Sequence, residues 1–143
     1  ISALDEYIDE FSIQTGLDVR FLNEIAEPLN LASIAEVQLI CILQEALANV
    51  RKHAKATQVE VLLAKKNDED VDYVRMEVVD DGIGFAKEKS NRTFGLQTMY
   101  ERASSVDGNL EIHSTLGKGT TISSKLPCLL PEQMHEHGLL LPE

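Results

Sequence analysis

Residues 35–54 contain neither glycine nor proline and are dense in Leu, Ile, Val and Ala. A run of that length and composition predicts a long central helix with most of its circumference buried. Taking Glu45 as zero and about 100° per residue, Asn49 falls at about 40°, Lys52 at about 340° and His53 at about 80°. A carboxylate, a carboxamide, an ammonium and an imidazole therefore share one arc of an otherwise apolar helix. Packed against a core they are costly unless a polar ligand or a metal meets them; the alternative is a solvated helix face. The fold must bury this segment and leave one stripe facing something wet or charged.

The flanking sequence supplies what buries it. Leu4, Ile8 and Phe11 recur at helical spacing before Thr15-Gly16, and Leu17, Val19 and Phe21 then alternate with Asp18 and Arg20 as in a strand. Residues 28–33 read as the connection into the central helix. Beyond it, Val59, Val61 and Leu63 alternate with polar neighbours, 67–70 form a charged hairpin loop, and Val74, Met76 and Val78 mark a second strand. A glycine-rich stretch, 80–85, and a polar stretch expected to be mobile, 87–93, lead to a helix starting near Leu96 with Met99, Ala103 and Val106 on one face. Residues 110–114 and 120–126 pair as a hairpin across Leu116-Gly117-Lys118-Gly119. Short turns between the later strands imply a mixed, mostly antiparallel sheet with about three helices on one face, an α/β (α+β) two-layer sandwich.

The 143 residues suffice for one domain, placed at 1–127, with 128–143 as an irregular C-terminal tail. The formal charge of −11 repels nucleic acid and anionic lipid over most of the surface, so an anionic ligand has to be held locally and neither nucleic acid nor a membrane is an expected partner. Cys41 and Cys128 have no CxxC spacing, and Cys41 reads as a small buried hydrophobe, which implies a reducing compartment. No apolar run is expected to approach a membrane span and no leader opens the chain, so the segment is expected in the cytoplasm. Residues 1–8 already read as mid-helix, as in a piece of a longer protein.

Three further fragments carry chemistry. Asp80-Asp81-Gly82-Ile83-Gly84-Phe85 closes the strand whose core face is Val74, Met76 and Val78, and parity places Asp80 on that buried face. A buried carboxylate must find donors, and an adenine amine is one that also discriminates among bases. Gly82 and Gly84 allow a sharp turn and close approach to a flat ring or phosphate, although an Asp-Gly turn after a strand is by itself usually only a turn. Phe94-Gly95-Leu96 opens a helix whose unsatisfied N–H groups and dipole form an anion site, or else Thr93 caps it with a glycine entry. Gly117-Lys118-Gly119-Thr120 brings Thr120 to the start of a strand on the face of Ile122 and Leu126, where its hydroxyl is expected to join Asp80; alone, such a hairpin is more often structural. The upstream glycine of a P-loop is missing, which excludes that motif.

Together and in this order the pieces resemble the boxes of the ATPase superfamily of gyrase, the heat-shock chaperone, histidine kinases and mismatch-repair proteins, with its Bergerat-type ATP-binding fold. The run Gln44-Glu45-Ala46-Leu47-Ala48-Asn49-Val50-Arg51-Lys52-His53-Ala54 is similar to the N box of nitrate-sensor-type histidine kinases. Gly95-Leu96-Gln97-Thr98-Met99-Tyr100-Glu101-Arg102-Ala103 is similar to that subgroup's helix entry, and the resemblance covers about residues 4–127. It implies an enzyme fragment, the ATP-binding catalytic domain of a two-component sensor histidine kinase, with ATP and Mg²⁺ as cofactors. Residue by residue, it implies that Asn49 coordinates Mg²⁺ with Glu45 beside it as the catalytic pair, and that Lys52 and His53 approach the phosphates. It implies further that Asp80 binds the adenine amine, that Gly82 and Gly84 shape the base pocket, that Gly95 and Leu96 close over the phosphates, and that Thr120 completes the hydrogen bonds around the adenine.

The implied partners are a dimerisation and phosphoacceptor domain of the same kinase and a response regulator of the nitrate-response type. The segment is expected to be monomeric and cytoplasmic, whether or not the whole protein is membrane-anchored. Two departures stand out. About ten residues separate Gly84 from Gly95, where many relatives carry a longer glycine-rich lid, which implies a short, mobile one. No histidine followed by an acidic residue lies on an amphipathic helix upstream; His135-Glu136 falls in the tail and reads as solvated, and His113 faces away from Leu110 and Ile112 towards solvent. Rival readings are a non-catalytic nucleotide-sensing module and an anti-sigma-type serine kinase.

Overall fold

The computed structural model describes residues 2–26, 30–85 and 95–130. Helix α1 (Ser2–Thr15) precedes strand β1 (Asp18–Asn23), and helix α2 (Ser33–Asn49) continues into a π-helical turn (Val50–Ala54). Strands β2 (Gln58–Asp68) and β3 (Val71–Asp80), helix α3 (Leu96–Ser104) and strands β4 (Asn109–Thr115) and β5 (Gly119–Pro127) follow. One sheet runs in the order β1-β2-β3-β5-β4, with β1 parallel to β2 and every other pair antiparallel. The mixed sheet and the three helices among the described residues make the expected sandwich.

Period-two alternation decides which face is covered. Val59, Val61 and Leu63 of β2, Val74, Met76 and Val78 of β3, and Ile122 and Leu126 of β5 are all buried beneath the helices. Helix α2 lies across β3 and β5 at the centre, with α1 beside it over β1 and α3 on its other side over β4 and β5. Its Leu39, Ile42, Leu43 and Leu47 are sealed in the core, each stabilising the fold by about 1.5–3 kcal/mol relative to exposure. Leu4, Ile8 and Phe11 of α1 and Leu96, Met99 and Ala103 of α3 close the two flanks. Val106 lies beyond the end of α3 and is only half-buried, so the apolar face read for that helix is one residue shorter than expected.

Other expectations are corrected. The hairpin loop is not 67–70 but only Glu69 and Asp70, whose φ values of 50° and 68° are those of a tight two-residue hairpin turn. Pairing of Asn67 with Asp72 and of Asp68 with Val71 extends the ladder past the charges, because side chains at a solvated strand end need no burial. The helix spanning Ser33–Ala54 is, by length and composition, long and apolar enough to cross a membrane, contrary to the expectation that no run would approach one. Its apolarity has another use here, since its buried side chains pack on the sheet. Cys41 is half-buried rather than sealed. Past β5, the Cys128 N–H bonds to the Asp72 carbonyl and the Leu129 N–H to the Asn30 carbonyl, at 2.8 and 2.6 Å, so these residues are tied to the body. His135 and Glu136 lie outside the described residues.

Candidate functional site

Two strand ends and one helix end meet at the same edge of the sandwich. Asp80, the last residue of β3, stands between Val59 of β2 and Thr120 of β5 in the sheet register, and Ser114 of β4 lies beyond Thr120. As parity predicted, Asp80 is on the covered face, 8% exposed. Its carboxylate accepts the Gly82 N–H at 2.8 Å and the backbone N–H of Thr120. Burial pushes the carboxyl above its ordinary range; the two N–H donors offset part of the rise and the neighbouring Asp81 charge adds to it. A carboxylate has about four lone-pair sites, so acceptor capacity remains for a further donor.

Asp80, Thr120, Gly84, Phe85, Val78 and Ile122 form one side of a solvent-open cleft, and Ala46, Asn49, Val50, His53 and Ala54 form the other. A largely apolar concavity with a few convergent polar groups is the usual form of a small-molecule site.

The wheel stripe is realised only in part. α-Helical geometry holds through Asn49, but the following turn is π-helical, and its i→i+5 bonding widens the helix so that 100° steps no longer apply. Asn49 and His53 reach the cleft wall; Lys52 is exposed and does not line it. Glu45 is half-buried and turns towards α3, its Oε2 standing 3.0 Å from where a Cβ on Gly95 would be. Gly95 itself is the N-cap of α3, with φ 64° and no side-chain cap, while Thr93 and Phe94 lie outside the described residues. The Leu96 side chain is buried in the core. The expected lid, 87–93, also lies outside the described residues.

The two loop glycines are spacers between backbones. A Cβ on Gly82 would stand 2.1 Å from the Ala54 carbonyl oxygen, and one on Gly84, whose φ is 66°, 2.1 Å from that of Thr115. Only glycine lets the 81–85 loop lie between the π turn and the β4–β5 hairpin. Hydrogen bonds from the Ile83 N–H to Ala54 O at 2.7 Å and from the Gly117 N–H to Ile83 O at 2.6 Å hold it there. Gly82 thus packs behind the cleft, and Gly84 lies on its wall.

Sequence reasoning missed two anchors of this site. Asp81 was passed over, yet its exposed carboxylate accepts the Thr57 N–H at 2.9 Å, the Thr57 hydroxyl at 2.8 Å and the Gln58 N–H at 3.1 Å. The Gln58 and Thr57 donors hold its carboxyl below the ordinary range and pin the loop to the exit of the helix. Ser114 was passed over too. Its Oγ lies 2.7 Å from Thr120 Oγ1 and accepts the Phe85 N–H at 2.9 Å, so the Thr120 hydroxyl meets Ser114, while Asp80 receives the Thr120 backbone N–H. Counting outwards from the 116–118 turn pairs Ser114 with Thr120, and that signal was present in the sequence.

Residues 34–130 match the family described as histidine kinase-, DNA gyrase B-, and HSP90-like ATPase. The chain belongs to this family. As a member of this ATPase family it is a nucleotide-binding chain, and the cleft joining α2 to the ends of β3 and β5 is the candidate site. The chain is 37% identical over 135 residues to the sensor histidine kinase LiaS of Bacillus subtilis, covering 94% of this chain and 35% of LiaS. It is 34% identical over 137 residues to the signal transduction histidine-protein kinase/phosphatase DegS of the same organism, covering 91% of this chain and 34% of DegS. The chain therefore spans about a third of the length of these curated relatives. The histidine kinase domain of the Erythrobacter litoralis EL346 blue-light activated histidine kinase has the same fold, with a TM-score of 0.71 at 16% identity over 94% of this chain and 62% of that one.

Among the described residues no group of three His, Cys, Asp or Glu side chains forms a metal site by itself. A hard cation brought in by phosphate is a different case. Mg²⁺ takes one or two protein oxygens and completes its shell with phosphate and water, and the Asn49 carboxamide on the cleft wall is an oxygen donor of that kind.

Proposed function

We propose that this chain is the ATP-binding catalytic domain of a two-component sensor histidine kinase, delivering the γ-phosphate to a histidine on a separate dimerisation domain. The observation that carries the reading is the single cleft shared by Asn49 and His53 from the helix and Asp80 and Thr120 from the strands. In it Asp80 accepts the adenine amine, Gly84 and Phe85 flank the ring, Asn49 offers its oxygen to Mg²⁺, and His53 stands towards the phosphates. Lys52, exposed on the same turn, reaches the phosphates from the rim, and Gly95 and Leu96 present the α3 N-terminus. Bound Mg²⁺ would neutralise charge on the phosphate oxygens. The protein's part is to hold the nucleotide in line and keep the γ-phosphate accessible, since phosphoryl transfer needs positioning more than covalent help. Glu45, one turn before Asn49, orients the end of the stripe at α3.

The partners on this reading are the phosphoacceptor domain of the same protein and a response regulator of the nitrate-response type. Residues 1–127 form the nucleotide-binding unit, with 128–143 as its tail, monomeric alone and facing the cytoplasm. Calorimetry tests the first step: Mg-dependent ATP binding is expected, and its absence overturns the reading. Adding the purified acceptor domain with radiolabelled ATP tests the second, where acid-labile phosphate on histidine is expected and acid-stable phosphate on serine refutes it.

A further inference from the structure

At the end of the sheet, the row Asp80, Thr120, Ser114 crosses three strands, and adjacent members are directly paired. Ser114 Oγ meets Thr120 Oγ1, and the Thr120 backbone N–H bonds the Asp80 carboxylate, so the row is linked through Thr120. Hydroxyl bookkeeping then limits the ways in which its protons can point. Ser114 Oγ already accepts the Phe85 N–H at 2.9 Å, and two acceptors lie within reach of its own proton, Thr120 Oγ1 at 2.7 Å and the Gly119 carbonyl at 3.4 Å. An O–H···O bond has its optimum near 2.7–2.8 Å and is weak at the longer separation, so the contact with Thr120 is the stronger of the two, and either hydroxyl can donate in it. With Ser114 as the donor, Thr120 Oγ1 is the acceptor and its own proton is left for the cleft that it lines.

We propose that Ser114 is a positioning residue for base selection: by donating to Thr120 it turns the Thr120 hydroxyl into a fixed donor beside the Asp80 acceptor. The inference rests on the nucleotide reading above. A donor next to an acceptor matches the edge of adenine, whose ring N1 accepts and whose amine donates. It mismatches hypoxanthine and guanine, whose N1–H donates and whose O6 accepts. Reversing the Ser114–Thr120 bond would present an acceptor from Thr120, lose the match to adenine N1 and weaken the discrimination, so the direction of one proton carries specificity. The same serine holds the Phe85 backbone, which keeps the ring wall in register with the row.

The test is calorimetric titration of the full 143-residue chain with Mg·ATP and Mg·ITP, in wild type, Ser114→Ala and Ser114→Thr. Wild type should prefer ATP. Ser114→Ala should lower the ATP-over-ITP ratio by about fivefold, the worth of one net hydrogen bond, and Ser114→Thr, which keeps the hydroxyl, should restore it. Should the alanine variant not fold, Ser114→Cys keeps the volume with a weak donor and should also lower the ratio. An unchanged ratio, equal weakening for both nucleotides, or a threonine variant that behaves like alanine overturns the assignment while leaving ATP binding intact. Failure of wild type to bind either nucleotide brings down the nucleotide reading, and this inference with it.

Discussion

Replacing Asp80 with asparagine should move stability and ligand binding in opposite directions. Burial raises the Asp80 carboxyl, so its ionised form is disfavoured in the folded chain. A group with a raised folded pKa of this kind is least unfavourable below its unfolded value, about 3.9, and the penalty grows as pH rises from there through the folded value. Asparagine carries no charge to desolvate and keeps an oxygen for the Gly82 N–H. Stability at pH 7 should therefore be unchanged or higher, within about 1 kcal/mol of wild type. Binding should suffer instead, because the asparagine amide sets a donor against the adenine amine. A hydrogen bond to a charged acceptor contributes about 1.5–3 kcal/mol, a loss of about ten- to 150-fold in Kd. Urea unfolding and ATP calorimetry on the same preparations measure both quantities. ATP affinity of wild type should also fall as pH is lowered through the raised Asp80 pKa, and that dependence should vanish in the variant. An Asp80→Asn protein that binds ATP as tightly as wild type, or that loses several kcal/mol of stability, would refute the reasoning.

Three further outcomes follow from named contacts. Gly82→Ala drives a Cβ into the Ala54 carbonyl and should destabilise the fold by about 3 kcal/mol or more by chemical denaturation, whether or not nucleotide is present. Leu43→Ala at the sealed centre of α2 should lower stability by about 2–5 kcal/mol, with the m-value unchanged. Asp81 has the opposite sign to Asp80: its pKa is depressed by bonds from Thr57 and Gln58, so its contribution is present above the unfolded value and is lost as pH falls through the depressed one. Asp81→Ala should remove that acid-range loss from a pH series of unfolding midpoints, and an unaltered pH profile would show that the contacts with Thr57 are incidental.

What could be read in the one-dimensional chain is what depends on near neighbours. Helical spacing of Leu4, Ile8 and Phe11, alternation through Val59, Val61 and Leu63, and the parity of Asp80 with Val74, Met76 and Val78 are set by backbone periods that repeat within a few residues. The spacing of the site glycines was legible for the same reason, although the purpose of Gly82 was not, because the Ala54 carbonyl that forbids a side chain there comes from a distant segment. The helical wheel held from Glu45 to Asn49 and failed at Lys52, where the π turn replaces the period on which it relied. No local propensity announced that turn; it ends the helix where the Ile83 N–H and Gly82 meet Ala54, contacts that exist only after β3 has returned alongside β2. The Asp81–Thr57 latch and the Ser114–Thr120–Asp80 row likewise depend on strand register across the sheet. The sequence by itself determined the elements, their buried faces and the residue types of the candidate site; tertiary pairing decided which of those residues share the cleft and which partners they bond.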